Sequence, residues 1–205
     1  MDDFIRWLAD RGLQVGSRLQ PRYTEATGWG IYAVDTVRPG ETVLRVPDSL
    51  LIRASTVTSR SPYDEAIKKH HGLLTPFDTL VLFFCFEDEA TSDYGPYLRM
   101  LPRTFSTPAV VCPDLAAEAL PKAAQPLLHS QREELVQIYD KLAKVSNEFT
   151  DEPLSKERFL WAWHVVNTRC IYVENKHDPA LDNSHGDTIV IVPFVDLLNH
   201  APDAQ

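Results

Sequence analysis

Residues 188–205 read "TIVIVPFVDLLNHAPDAQ", and this stretch decides how the rest is understood. Ile189, Val190, Ile191 and Val192 form an unbroken β-branched run that meets Pro193. A short apolar run bounded by proline is the pattern of a buried strand. Asp196, Asn199 and His200 follow within a few residues. The strand therefore leads straight from core into three polar side chains. On a helix, Asp196 and His200 would share a face. A metal site needs a third ligand, and His164, His177 and His185 supply none at matching spacing. An Asp N-cap and a satisfied core His are the structural readings of the same residues.

Working upstream, "SKERFLWAWHVVNTRC" (155–170) opens on Ser155 as a helix cap and places Phe159, Leu160, Trp163 and Val166 at helical spacing. It ends in Asn167, Thr168 and Arg169. An Arg there either clamps a carboxylate through a bidentate pair or serves as a favourable cation at a helix C-terminus. "QREELVQIYDKLAKVSNEF" (131–149) carries Leu135, Ile138, Tyr139, Leu142, Val145 and Phe149 on one stripe. "TPFDTLVLFFCFEDEA" (75–90) has Thr75 as N-cap and Pro76 at the first helical position, and is apolar nearly all round, as a buried helix is.

The N-terminal part differs. Residues 3–11 predict a short helix with Phe4, Ile5, Trp7 and Leu8 on its apolar side and Gly12 as C-terminal cap. In 27–52, "TGWGIYAVDTVRPGETVLRVPDSLLI", β-branched and aromatic residues fall into two runs around Pro39-Gly40, a type II turn pair. The expectation is two antiparallel strands at about 30–37 and 42–46. Glycines around Trp29 let backbone approach a ligand closely, or simply mark a turn. Strands, then helices from about 54 to 165, then a strand at 188–194 predict an α+β fold, a β core carrying a large helical insertion.

The totals bound the function. The chain of 205 residues suits one sizeable domain. A net charge of −9 argues against a general nucleic-acid binder, which needs clustered Lys and Arg, but leaves room for an acidic groove that takes a basic peptide. Cys85, Cys112 and Cys170 are odd in number and widely spaced, which suggests neither a disulfide framework nor a zinc knuckle. There is no signal-peptide pattern at the start and no apolar segment of membrane-spanning length, so no membrane partner is expected. The expected setting is reducing, in the cytoplasm, the nucleus or both.

In this order, "GWGIYAVDTVRPGETVLRVP", "YGPYLRMLPRTFSTP", "FLWAWHVVNTRCIY" and "IVPFVDLLNHAP" resemble the SET-domain protein methyltransferases. The branch is that of the plant Rubisco large-subunit methyltransferase, and "VNTRCIY" is most similar to the SET-domain-containing protein 4 subgroup. The resemblance implies an S-adenosylmethionine-dependent enzyme that methylates a protein side chain, lysine Nε above all. It implies that Gly28, Trp29 and Gly30 turn their backbone to the cofactor and that Arg169 lies near its methionine carboxylate. It also implies that Asp196, Asn199 and His200 line the same pocket, with the Asn-His pair on the amino group and adenine. No metal is implied. Residues 1–205 correspond to the N-terminal portion of the SET domain, with SET strands at 28–52, an inserted helical subdomain at 54–165 that walls the substrate cleft, and the start of the C-terminal SET segment at 166–205. The family places its catalytic Tyr in strands after the Asn-His pair, and none of the seven tyrosines here matches that position. The expectation is therefore a catalytic Tyr beyond Gln205 and weak activity of this chain alone. Two other readings stand beside it: a non-catalytic SET-like interaction protein, and a metal-dependent hydrolase built on Asp196 and His200.

Overall fold

A computed structural model describes residues 1–25, 27–105, 119–174, 176–184, 186 and 188–199. In chain order the elements are α1 (Asp2–Asp10), β1 (Gln14–Val15), β2 (Leu19–Thr24), β3 (Gly28–Ala33), β4 (Leu44–Arg45), β5 (Ile52–Arg53), α2 (Ala54–Thr58), α3 (Tyr63–Lys69), α4 (Pro76–Phe86), α5 (Gly95–Leu98), α6 (Gln125–Ser146), α7 (Lys156–Arg169), β6 (Cys170–Tyr172) and β7 (Ile189–Ile191). Short 3-10 turns lie at Asp48–Leu50, Lys122–Ala124 and Val195–Leu197. After α1 come strands, then the described helices between Ala54 and Arg169, then strands again, which is the α+β order expected.

The strands form three small antiparallel sheets. In the order β5-β7-β6, β7 is central, and Val190 and Ile191 are fully buried, as an unbroken β-branched run requires. The pairing expected around Pro39-Gly40 is different. The turn itself is present: the Glu41 N–H donates to the Arg38 carbonyl at 3.0 Å, and Gly40 has φ +82°. The segments on either side do not pair with each other. β3 pairs with β2 along its whole length, from Leu19↔Ala33 to Thr24↔Gly28, and β4 pairs with β1. The six-residue β2 satisfies far more of β3's backbone than the two-residue β4 could. Pro21, which lacks an N–H, is tolerated because β2 is an edge strand. Arg18 then fastens the turn, donating to Glu41 Oε2 at 2.5 Å and to the Thr36 carbonyl at 2.7 Å.

Helix ends follow their local signals. The Thr75 hydroxyl accepts from the Asp78 N–H and Asp78 Oδ2 accepts from the Thr75 N–H, both at 3.1 Å, a reciprocal capping box with Pro76 at the first position. At the end of α1, Gly12 has φ +88°, and the Gly12 and Leu13 N–H groups return to the Ala9 and Leu8 carbonyls, which is a Schellman motif. Phe4, Trp7 and Leu8 are buried, but Ile5 is exposed, because it falls about 100° round the helix from Phe4.

The core is centred on α4, where Leu80 to Phe84 are all 0% exposed. Leu142 and Val145 of α6 and Ala162, Val165 and Val166 of α7 close round it. Phe83 meets Phe84 at 5.2 Å and Tyr94 at 5.3 Å between ring centroids, both edge-to-face. Among the described residues, no helix is long and apolar enough to cross a membrane. Phe83→Ala removes the centre of this aromatic cluster and is expected to cost about 3–5 kcal/mol in denaturant unfolding. A loss below about 1 kcal/mol would place the core elsewhere.

Candidate functional site

The site begins at the β2–β3 hairpin. Thr24 faces Gly28, whose φ of +70° is unfavourable for any side chain. The Thr27 N–H donates to Thr24 Oγ1 at 3.1 Å and closes the loop. Trp29 then lies opposite Tyr23, with ring centroids 5.6 Å apart, edge-to-face. Gly30 comes next and is buried. A Cβ at Gly30 would sit 2.5 Å from Asn199 Nδ2 and 3.2 Å from Tyr32 Cε2. Any side chain here would have to displace the end of the Asn199 amide. Asn199 is otherwise exposed and forms no hydrogen bond with a described residue.

Asn199 reaches Gly30 through the turn after β7. Phe194 has φ +80°, the one left-handed non-glycine residue among those described, and its ring is 1% exposed. Burial of that ring offsets the strain of the conformation. The Asp196 N–H bonds back to the Val192 carbonyl at 3.1 Å, and the chain turns through Val195–Leu197. This points the Asp196 side chain inward, where it is 1% exposed. Asp196 Oδ2 accepts from Arg169 Nη1 at 2.7 Å and from the Tyr97 hydroxyl at 2.8 Å. Arg169 Nη1 also reaches the Asp196 carbonyl at 3.2 Å. Arg169 is the last residue of α7, so its cation lies at the negative end of the helix.

The electrostatics of this cluster follow from burial. Burial pushes the Asp196 carboxyl above its ordinary range, while the Arg169 charge and the Tyr97 hydrogen bond pull it back. Burial, reinforced by the Asp196 charge, raises the Tyr97 phenol well above its usual value, so it remains a donor. Among the described residues, Asp196 Oδ1 and Arg169 Nε are buried with no hydrogen-bond partner.

The structure thus joins Asn199 to Gly30 and Arg169 to Asp196, three residues before Asn199. Gly28 and Trp29 lie on the same strand as Gly30. His200 lies outside the described residues. Asp196 itself lies on a three-residue 3-10 turn that ends at Leu197, and Leu198 and Asn199 are not helical. A guanidinium at 2.7 Å also disfavours a cation on Asp196, and among the described residues no group of three or more His, Cys, Asp or Glu is placed to hold a metal. Sequence reasoning missed Tyr97. It stands within "YGPYLRMLPRTFSTP", but an aromatic on a short helix carries no sign of a partner 99 residues away.

No family model matches the chain. SET domain-containing protein 4 of Homo sapiens is 30% identical over 209 residues, which is 98% of this chain and 47% of the human protein. The chloroplastic [fructose-bisphosphate aldolase]-lysine N-methyltransferase of Arabidopsis thaliana is 25% identical over 207 residues, 98% of this chain and 39% of that protein. A crystal structure of the SET domain of LSMT bound to lysine and AdoHcy superposes with a TM-score of 0.78 at 18% identity, over 100% of this chain and 44% of that one. The fold is therefore that of a SET domain. In sequence, the chain is similar to SET domain-containing protein 4 and, more distantly, to the Rubisco large-subunit N-methyltransferase of Pisum sativum. It spans about half the length of the curated relatives it matches.

Asp196→Ala leaves the largely buried Arg169 cation without its carboxylate. The expected cost is about 3–5 kcal/mol in unfolding free energy, read by denaturant titration. An unchanged midpoint would mean that the pair is solvated rather than buried.

Proposed function

We propose that the natural protein carrying this chain is an S-adenosylmethionine-dependent methyltransferase that acts on a protein side chain, with a lysine Nε as acceptor. The observation that carries the reading is the Asn199 amide on Gly30: an exposed side chain with no hydrogen bond to a described residue, beside a strand position that has no Cβ. Backbone bare of side chain and an exposed amide suit a polar ligand held at close range. The relation to lysine methyltransferases, and the AdoHcy in the LSMT structure, support the choice of ligand.

In this reading Gly28, Trp29, Gly30, Asn199 and His200 form the cofactor wall. Arg169 supplies positive charge toward the cofactor carboxylate, and Asp196 orients it. The helices between Ala54 and Arg169 are the inserted subdomain that walls the substrate cleft. When bound, the cofactor supplies a methyl group already activated by its sulfonium. The protein's tasks are then alignment and exclusion of water. The acceptor must also be neutral, although a free lysine has a pKa near ~10.4. A desolvated channel beside a cationic centre lowers that value.

Titration with S-adenosylhomocysteine tests the wall. Gly30→Ala and Asn199→Ala are each expected to weaken binding about tenfold or more, the loss of one or two hydrogen bonds. The melting temperature should change little, because the added Cβ of Gly30→Ala meets the end of a flexible side chain and Asn199 is exposed. Labelled S-adenosylmethionine with a cell lysate then reads methyl transfer to protein. Wild-type protein that binds no S-adenosylhomocysteine, or variants that bind it as well as wild type, would sink the assignment.

A further inference from the structure

We infer that Tyr97 is a positioning residue for the cofactor wall: its hydroxyl, bound to Asp196, holds the 195–197 turn in the placement that lays Asn199 over Gly30. The inference rests on the reading of Gly30 and Asn199 as cofactor contacts.

Tyr97 is well suited to fix another group, because it is itself fixed. It is 1% exposed, and its ring stacks on Phe4 of α1 at 6.1 Å. Its neighbour Leu98 is buried. Gly95 at the start of α5 leaves no room for a Cβ, which would fall 2.5 Å from the Glu89 carbonyl oxygen. Arg99, just after the helix, donates to the same carbonyl at 2.9 Å. The phenol oxygen therefore has little freedom, and it donates to Asp196 Oδ2 at 2.8 Å.

Arg169 and Tyr97 divide the work at Asp196. Arg169 grips both the carboxylate and the backbone carbonyl, but it comes from α7, which runs directly into β6, the neighbour of β7. Among the described residues, Tyr97 is the side-chain donor that ties Asp196 to a different part of the molecule. Asn199 has no hydrogen bond of its own to a described residue, so its placement on Gly30 derives from the turn three residues before it.

Protonation gives this arrangement a signature. Asp196 is faced by Arg169 from α7 and by Tyr97 from α5. Burial already raises its carboxyl, and the phenol hydrogen bond opposes that rise. Loss of the phenol hydroxyl raises it further. The carboxylate then takes up a proton at higher pH and loosens from Arg169, so the effect on binding grows as pH falls.

The test uses the natural protein with Tyr97→Phe. Tyr94→Phe is the control: Tyr94 is also buried, and its hydroxyl makes no hydrogen bond to a described residue. S-adenosylhomocysteine is titrated at neutral pH and at successively lower pH, and amide hydrogen exchange is followed without cofactor. Tyr97→Phe is expected to weaken binding about tenfold at neutral pH, with a larger loss on the acid side. It should speed exchange at residues 195–199 and leave α4 unchanged, and Tyr94→Phe should do neither. Unchanged exchange at 195–199 overturns the proposal, as does exchange that rises equally in α4, which is the mark of a general core residue. Unchanged affinity in Tyr97→Phe overturns it too. Wild-type protein that fails to bind S-adenosylhomocysteine overturns the cofactor reading itself, and the exchange data then decide separately whether Tyr97 holds the turn.

Discussion

A carboxylate that is 1% exposed must find its counter-charge inside the protein, and for Asp196 that requirement organises much of the molecule. Taking a charge out of water costs several kcal/mol unless partners stand ready in good geometry. Arg169 has to arrive at the end of α7, and Tyr97 has to arrive from α5. β7 has to deliver the carboxylate inward through the strained Phe194. Sheet, helical block and N-terminal helix therefore converge on a few atoms. A change in any of these elements reaches the others through this cluster.

The polar groups around the turn fall into two kinds. Asp196 and Tyr97 are buried and engaged with each other, and both have their ionisation shifted by burial. Such groups hold a shape. Asn199 is exposed, makes no hydrogen bond to a described residue, and rests on Gly30 of the strand. Such a group can meet a ligand. A site that must align two reactants needs both, because an exposed amide positions nothing unless its backbone is itself held.

Local features were the legible ones. The Thr75-Pro76 start of α4, the Gly12 cap of α1 and the apolar strand at Ile189–Ile191 are written within a few residues each, so their physics is complete in the sequence. The Pro39-Gly40 turn was legible for the same reason. Its strands were not, since pairing depends on which distant backbone competes best, and β2 hides behind Pro21 and polar residues. In the site, Gly30, Arg169, Asp196 and Asn199 were reached through the order of four motifs. Their spacing alone left a turn, a helix-end cation and a cap as equally good explanations. Tyr97 had no signal, because a buried phenol and a buried phenyl read alike until the partner of the hydroxyl is known.

The contact between Gly30 and Asn199 also bears on how this chain can change over generations. The two positions lie far apart in sequence but share one small volume. Any residue larger than glycine at 30 displaces the amide at 199, while a shorter side chain at 199 opens a gap that a methyl group at 30 could fill. The two sites therefore do not drift independently. Among descendants of this sequence they should move as a pair, and a lineage that gave up the amide would be free to lose the glycine.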